Sequence, residues 1–242
     1  MFEGRRILAV VPARSGSRGI LDKNIQRLDG ISLIGWAGRT LAEVACIDRR
    51  VLSTDSPAYA EEGKRFGLEV PFLRPAELST DTATAVDTVR HALAETERAM
   101  AMRFDLILIV EPSSPLRLPS DIERAIERLV RSGADSVVSV SPLSSKSHPR
   151  KAFRVAPDGG LTFYEEAGRS VTARQSLEPL YWRNGVCYAL TRACVLEQGT
   201  IFGRRCVADA TPHPVVNIDE PVELSWAEFL LQRGGLQATS AR

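Results

Sequence analysis

Apolar and polar positions fall in blocks along this chain rather than alternating residue by residue. Ile7–Val11 is a continuous apolar run after Arg5 and Arg6, and residues 12–24 behind it are rich in glycine, serine and charge. A short apolar run bounded by turn residues predicts a buried strand feeding a polar loop. The pattern then predicts a helix over Leu33–Cys46 and a short strand over Arg50–Ser53. A helix over Pro57–Phe66, closed by Gly67, and another short strand over Glu69–Leu73 come next. Thr80–Met102 keeps helical spacing over much of its length, with Asp81 or Thr82 as caps. Phe104–Val110 is the clearest buried strand, and it runs straight into Glu111-Pro112-Ser113-Ser114-Pro115. Asp121 is expected to cap a helix reaching Ser132, and Ser136–Val140 is rich in β-formers. Strands separated by helical segments imply βαβ units, hence an α/β fold with a mostly parallel sheet and flanking helices.

The alternation stops between Pro142 and Arg183, where short polar pieces and the turn Pro157-Asp158-Gly159-Gly160 predict a hairpin or protruding arm. Regular signals resume with a strand over Gly185–Leu190, another over Val215–Ile218 and a closing helix over Pro221–Gln232. The chain therefore divides into an α/β domain formed by residues 1–141 and 184–233, an inserted arm of 142–183, and a small, polar tail of 234–242 that reads as frayed.

Composition narrows the function classes. With 242 residues, 31 basic against 30 acidic side chains and no basic run, the chain lacks the clustered charge of a nucleic-acid binder. The first apolar run is too short for a signal peptide and far from the ~20 residues that span a bilayer. Cys46, Cys187, Cys194 and Cys206 are scattered without zinc-like spacing, so neither a disulfide framework nor structural zinc is expected. A cytoplasmic protein with reduced thiols and no membrane partner is the expectation.

The loop after the first strand carries the first candidate chemistry. In an open α/β sheet, ligands bind at the carboxyl ends of the strands. Here Gly16 and Gly19 allow close backbone approach, Ser15 and Ser17 offer donors, and Arg14, Arg18 and Lys23 supply charge against phosphate. The segment is neither a Walker A sequence nor a GxGxxG fingerprint.

The string VPARSGSRGILDKN (residues 11–24) resembles the N-terminal signature of the acylneuraminate cytidylyltransferase family, the CMP-sialic acid synthetases. Further matches follow in order: LSTDS at 52–56, Arg74-Pro75 with Leu78 and Asp81, EPSSPLR at 111–117, Arg174-Gln175, Asn184-Gly185 with Tyr188, and NIDEPVELSWAE at 217–228. The resemblance implies a Rossmann-like nucleotide-diphospho-sugar-transferase fold with a small dimerisation arm. It implies transfer of CMP from CTP to the anomeric hydroxyl of a sialic acid-like 2-keto-3-deoxy sugar acid, with release of pyrophosphate. Ala13, Arg14, Ser15, Gly16, Ser17, Arg18, Lys23, Asn24, Arg74 and Asp81 would serve the nucleotide, with Asn24 fixing the loop and Thr54 and Asp55 supporting the strand end. Glu111, Ser113, Ser114, Arg117, Arg174, Gln175, Asn184 and Tyr188 would serve the sugar acid, with Arg150 or Lys151 of the arm adding charge from a neighbouring subunit of a homodimer.

A divalent cation, Mg²⁺ or Mn²⁺, is implied at the strand end where the family carries two carboxylates two residues apart. This chain has Asn217 and Asp219 there, and Asn217 brings no charge. It also has Glu111 where the family usually has glutamine. Glu111 is then either a metal ligand or base that restores the lost carboxylate, or a contact to substrate hydroxyls or a loop cap. Arg14, Arg18, Lys23, Glu111 and Asp219 form the expected catalytic set. The departures keep other readings open: a Kdo, legionaminic or pseudaminic acid acceptor, a sugar phosphate, or a non-catalytic nucleotide-binding relative.

Overall fold

The computed structural model describes residues 1–17 and 19–233. Ten strands and five α-helices follow in chain order: β1 (Ile7–Pro12), β2 (Arg27–Leu28), β3 (Ile31–Ser32), α1 (Leu33–Glu43), β4 (Arg49–Ser53), α2 (Pro57–Arg65), α3 (Ala85–Met100), β5 (Leu106–Ile109), α4 (Pro119–Ser132), β6 (Ser136–Pro142), β7 (Phe153–Val155), β8 (Leu161–Phe163), β9 (Tyr181–Thr191), β10 (Cys206–Ala210) and α5 (Pro221–Gln232). Six of the strands form one sheet in the order β10-β6-β9-β5-β1-β4. β1 pairs in parallel with both β4 and β5, and β10 with β6, while β9 runs antiparallel between β5 and β6.

Period-two alternation sorts β1 onto the two faces of the sheet. Ile7, Ala9 and Val11 pack with Ile34, Ala37 and Leu41 of α1 and with Ile122, Ala125 and Leu129 of α4. Leu8 and Val10 pack on the other face with Val89, Ala92 and Leu93 of α3. Both faces of β1 are thus buried, which is why its sequence is apolar throughout. A third cluster seats α5 through Ala227 against Leu28, Leu33, Leu116, Val216 and Ile218.

Several expected elements differ. Glu69–Leu73 forms a single bridge, Val51 to Glu69, before the chain turns away. Val215–Ile218 is not a strand: Val216 and Ile218 bury themselves in the third cluster from a loop held by the Ile218 N–H donating to the Ser113 carbonyl at 2.7 Å. The sheet edge is taken instead by β10, whose mixed sequence Cys-Val-Ala-Asp-Ala gives little sign of a strand. α3 starts at Ala85 with Thr84 as cap, its Oγ1 accepting from the Asp87 N–H at 3.2 Å, so neither Asp81 nor Thr82 caps it. Asp121 does satisfy the start of α4, but from inside the first turn, where its carboxylate accepts the Leu118 N–H at 2.9 Å. β9 begins at Tyr181 and β6 extends to Pro142, so the inserted arm springs directly from two adjacent strands. Within it, β7 and β8 form the anticipated hairpin. All four cysteines are free thiols, and no described helix is long and apolar enough to cross a membrane. The tail expected over 234–242 lies outside the described residues.

Candidate active site

A cavity of about 540 Å³ opens at the carboxyl ends of β1 and β5, lined among others by Arg14, Ser17, Gly19, Lys23, Arg74, Glu111, Ser113 and Asp219. The Ala13 N–H, donating to the Ser53 carbonyl at 2.9 Å, closes the last rung between β1 and β4 before the loop departs. Ser15 then anchors that loop outside the cavity, its N–H and hydroxyl both donating to Asp55 at 2.8 and 2.5 Å. Burial alone would raise the Asp55 carboxyl, but these two bonds, helped by the Arg74 charge, hold it below the usual carboxylate range. Gly16 adopts φ +71°, and Asn24 donates from Nδ2 to the Arg14 carbonyl at 3.1 Å, fastening the far end of the loop to its start. At Gly19 a Cβ would sit 2.3 Å from the Asp219 carbonyl oxygen, so only glycine lets the loop and the segment leading into α5 pass this close. Arg18 lies outside the described residues.

The cations of the cavity are held in different ways. Arg14 Nη2 meets Asp81 Oδ1 at 2.6 Å, and Lys23 Nζ meets Asp219 Oδ1 at 2.8 Å. Arg74 is buried; Nη1 reaches Thr88 at 3.4 Å, while Nε and Nη2 have no protein partner. Burial depresses the Arg74 pKa, with the nearby Asp55 charge opposing that pull. Arg74 thus lines the cavity while two of its buried donors go unused.

The opposite wall is built around Glu111. Gly185 of β9, at φ +69°, leaves room for it: a Cβ there would stand 2.4 Å from Glu111 Oε2 and 2.8 Å from Ser114 Oγ. Burial pushes the Glu111 carboxyl up against the pull of Arg117, Arg183 and Lys23. Burial pushes the Tyr188 phenol up as well, and the nearby Glu111 charge adds to it.

The remaining residues expected at the sugar acid are placed unevenly. Ser114 is fully buried and donates to the Asn184 carbonyl at 2.6 Å. Asn184 spends its amide on Ser141, Thr211 and the Val186 N–H. Arg117 is buried, donates to the carbonyls of Val186 and Glu111, and has its pKa lowered by burial to about 10. These three side chains brace the wall that carries Glu111; Ser114 and Asn184 spend their polar atoms on backbone and neighbouring side chains, as do Nε and Nη2 of Arg117, whose Nη1 is buried without a partner. Arg174 and Gln175 sit exposed in a short turn of the arm, outside the lining of the cavity, and Arg150 pairs with Glu165 and Glu178 within the arm.

Asp219 and Asn217, two residues apart, part company. Asp219 lines the main cavity, whereas Asn217 lines an adjoining depression of about 360 Å³ that shares Asp219 and is bounded by Trp182, Arg183, Val215, Glu223 and Trp226. Asn217 Oδ1 is buried there without a hydrogen-bond partner. Trp182, Arg183 and Trp226 carried no expectation from sequence; the only local signal was their position beside the Asn-Gly and Asp-x-Pro motifs. No group of three or more His, Cys, Asp or Glu among the described residues is arranged to hold a metal alone. Glu111 and Asp219 face the cavity together, a donor set that suits Mg²⁺ when substrate phosphates and water supply the other ligands.

The model of the cytidylyltransferase family matches residues 8–196. The chain is 31% identical over 229 residues to the CMP-N,N'-diacetyllegionaminic acid synthase of Legionella pneumophila, covering 94% of this chain and 97% of that one. It is 30% identical over 237 residues to the N-acylneuraminate cytidylyltransferase of Oncorhynchus mykiss, of which it spans 52%. Its fold matches the solved structure of CMP:2-keto-3-deoxy-manno-octonic acid synthetase complexed with CTP, with a TM-score of 0.67 at 16% identity over 94% of this chain and 99% of that one. It also matches 4-diphosphocytidyl-2C-methyl-D-erythritol synthase from Anaerococcus prevotii, at a TM-score of 0.64 and 13% identity over 96% of this chain and the whole of that one. With the cationic strand-end loop, the carboxylate wall and a family match over most of its length, the chain belongs to the cytidylyltransferase family.

Proposed function

We propose that this cytidylyltransferase moves CMP from CTP to the anomeric hydroxyl of a nonulosonic acid, a nine-carbon 2-keto-3-deoxy sugar acid, and releases pyrophosphate. The observation that carries the reading is one cavity holding Arg14, Lys23 and Arg74 on one side and the half-buried carboxyl of Glu111 on the other. The nonulosonic acid is supported by the similarity to the legionaminic acid enzyme, which extends over nearly the whole of both chains.

In this reading Arg14, Lys23 and the backbone around Gly16 and Ser17 take the phosphates, neutralising charge that builds as pyrophosphate leaves. Arg74 gives its unused Nε and Nη2 donors to the nucleotide. The acceptor hydroxyl oxygen bonds to the α-phosphorus as the bond from that phosphorus to the bridging oxygen breaks; Glu111 takes the hydroxyl proton. Asp219 would hold a Mg²⁺ or Mn²⁺ ion, which would supply Lewis-acid stabilisation of the leaving group. Lys23, already on Asp219, keeps that carboxylate oriented.

Pyrophosphate release is measured with Mg²⁺ and each of CTP, UTP, GTP and ATP, against N-acetylneuraminic acid, N,N'-diacetyllegionaminic acid, Kdo and sugar 1-phosphates. Release with CTP and a nine-carbon acid is expected. Release only with Kdo, a sugar phosphate or another nucleotide would move the substrate, and none with any pair would leave a nucleotide-binding relative.

We also propose a homodimer joined through the arm, because Phe153, Val155, Leu161 and Tyr164 of its hairpin region are exposed apolar side chains on a segment that projects from the sheet. Light scattering on the purified chain is expected to give twice the chain mass; a monomer with full activity would overturn this.

A further inference from the structure

Resting on the reading of Lys23 as a cation for the phosphates of CTP, we propose that Tyr59 is a positioning residue for it: acting through Asp22, the Tyr59 hydroxyl fixes the turn that aims Lys23 into the cavity. Tyr59 belongs to α2 and lies outside the lining of the cavity. Its phenol donates to Asp22 Oδ1 at 3.0 Å, and Asp22 directly precedes Lys23 in the chain. Asp22 is also where the loop turns. It sits in the left-handed region at φ +49° and ψ +38°, which residues other than glycine seldom adopt, and it heads the single helical turn Lys23–Ile25. Such a backbone state persists where its surroundings hold it. The Tyr59 hydroxyl holds the Asp22 side chain, the Ile25 N–H donates to the Asp22 carbonyl at 3.0 Å, and Asn24 fastens the turn to the Arg14 carbonyl. With this turn fixed, so is the direction in which Lys23 leaves the backbone, and its ammonium reaches across to Asp219.

The other end of this strut is rigid. Tyr59 is 2% exposed and belongs to the core cluster that contains Val11, Ala13 and Leu52. Its N–H donates to Ser56 Oγ at 3.4 Å, the cap of α2, and Pro57 opens that helix. The same corner carries Asp55, which accepts the N–H and hydroxyl of Ser15. Residues 55–59 therefore grip the glycine-serine loop twice, near its start through Ser15 and near its end through Asp22. Burial first, and then the Asp22 carboxylate, push the Tyr59 phenol above its ordinary 10, so the hydroxyl stays a donor at neutral pH. Asp22 is exposed, so water can replace the phenol as its partner, and losing the bond costs aim more than folding.

The test is a double-mutant cycle on CTP binding, read by titration calorimetry without acceptor, in the wild type, Tyr59→Phe, Lys23→Met and the double variant. Tyr59→Phe keeps the buried ring and removes only the donor. It is expected to weaken CTP by about 3- to 10-fold, the effect of one net hydrogen bond, with a melting temperature within about 4 °C of wild type. Once Lys23 is methionine, the same change is expected to cost less than about 2-fold, because the two residues act as one unit. Asp22→Asn keeps an acceptor oxygen and tolerates the left-handed backbone, so it is expected to bind CTP within about 2-fold of wild type. Asp22→Ala loses both and is expected to bind at least as weakly as Tyr59→Phe. Should Tyr59→Phe fold poorly, the two Asp22 variants make the same comparison from the exposed end of the bond. Equal losses from Tyr59→Phe with and without Lys23, or an Asp22→Asn as weak as Asp22→Ala, would overturn the strut alone. A wild type that does not bind CTP overturns the phosphate reading of the loop, and the strut with it.

Discussion

Lys23 and Asp219, 196 positions apart in the chain, meet at 2.8 Å across the mouth of the cavity. The lysine comes from the short turn that ends the glycine-serine loop, and the aspartate from the segment leading into α5. Their contact ties the glycine-serine loop to the segment that leads into α5. Asp219 is largely exposed in the pair, so its worth to folding is small. Replacing Lys23 by methionine is therefore expected to leave the melting temperature within about 2 °C while lowering pyrophosphate release roughly 10²–10³-fold. A variant that keeps near-normal turnover would show that the lysine orders the loop without touching the reacting phosphates.

Arg74 gives the opposite balance. Its guanidinium is buried with two donors unused, an arrangement that costs stability in the free protein and is relieved by a bound acceptor. Arg74→Met is expected to melt no lower than the wild type, and to lose most of the stabilisation that CTP gives. Thermal shifts with and without CTP check both halves; a large loss of stability in the free variant would show that Arg74 is a structural cation.

Arg117 is expected to behave as a brace. Truncating it to alanine strands the carbonyls of Val186 and Glu111 and empties a buried space. A loss of roughly 3 kcal/mol, or about 6–12 °C, is expected for a chain of this length. Calorimetry reads it. An unchanged melting temperature with a raised KM for the sugar acid would restore Arg117 to the substrate.

His213 Nε2 lies 2.8 Å from Asp121 Oδ2 at the start of α4. Burial alone would lower the His213 pKa, but the Asp121 bond and charge raise it above its ordinary 6.5, with Arg124 opposing. Asp121 is in turn held below its ordinary 3.8 against burial, by His213, the Leu118 N–H and Arg124. The histidine's contribution is complete below about 6.5 and is lost as pH rises through its folded value. The aspartate's is present above about 3.8 and is lost as pH falls through its own. His213→Gln is expected to flatten the fall in melting temperature between pH 6 and pH 8.5. Parallel curves for variant and wild type would mean that the pair does not titrate in this range.

Much of the molecule was legible from its sequence because the physics there is local. A short apolar run such as Ile7–Val11, bounded by turn residues, reads as a buried strand, and the glycines and cations behind it read as a loop at that strand's end. The order of the motifs gave the family. What failed were choices between equal local candidates. Thr84 won the cap of α3 over Asp81 and Thr82 once Asp81 met Arg14, and Val215–Ile218 lost the sheet edge to β10 because its apolar side chains were already claimed by α5 and Leu116. The site divided the same way. Sequence alone named Arg14, Lys23, Arg74, Glu111 and Asp219, whose charges and positions are local facts. Only the fold decided that Ser114, Asn184 and most of the Arg117 guanidinium spend their donors on neighbouring groups, that Asn217 lines only the depression beside the main cavity while Asp219 borders both, and that Trp182, Arg183 and Trp226 stand beside it. Those outcomes depend on which groups share a buried space, and burial is a property of the assembled chain.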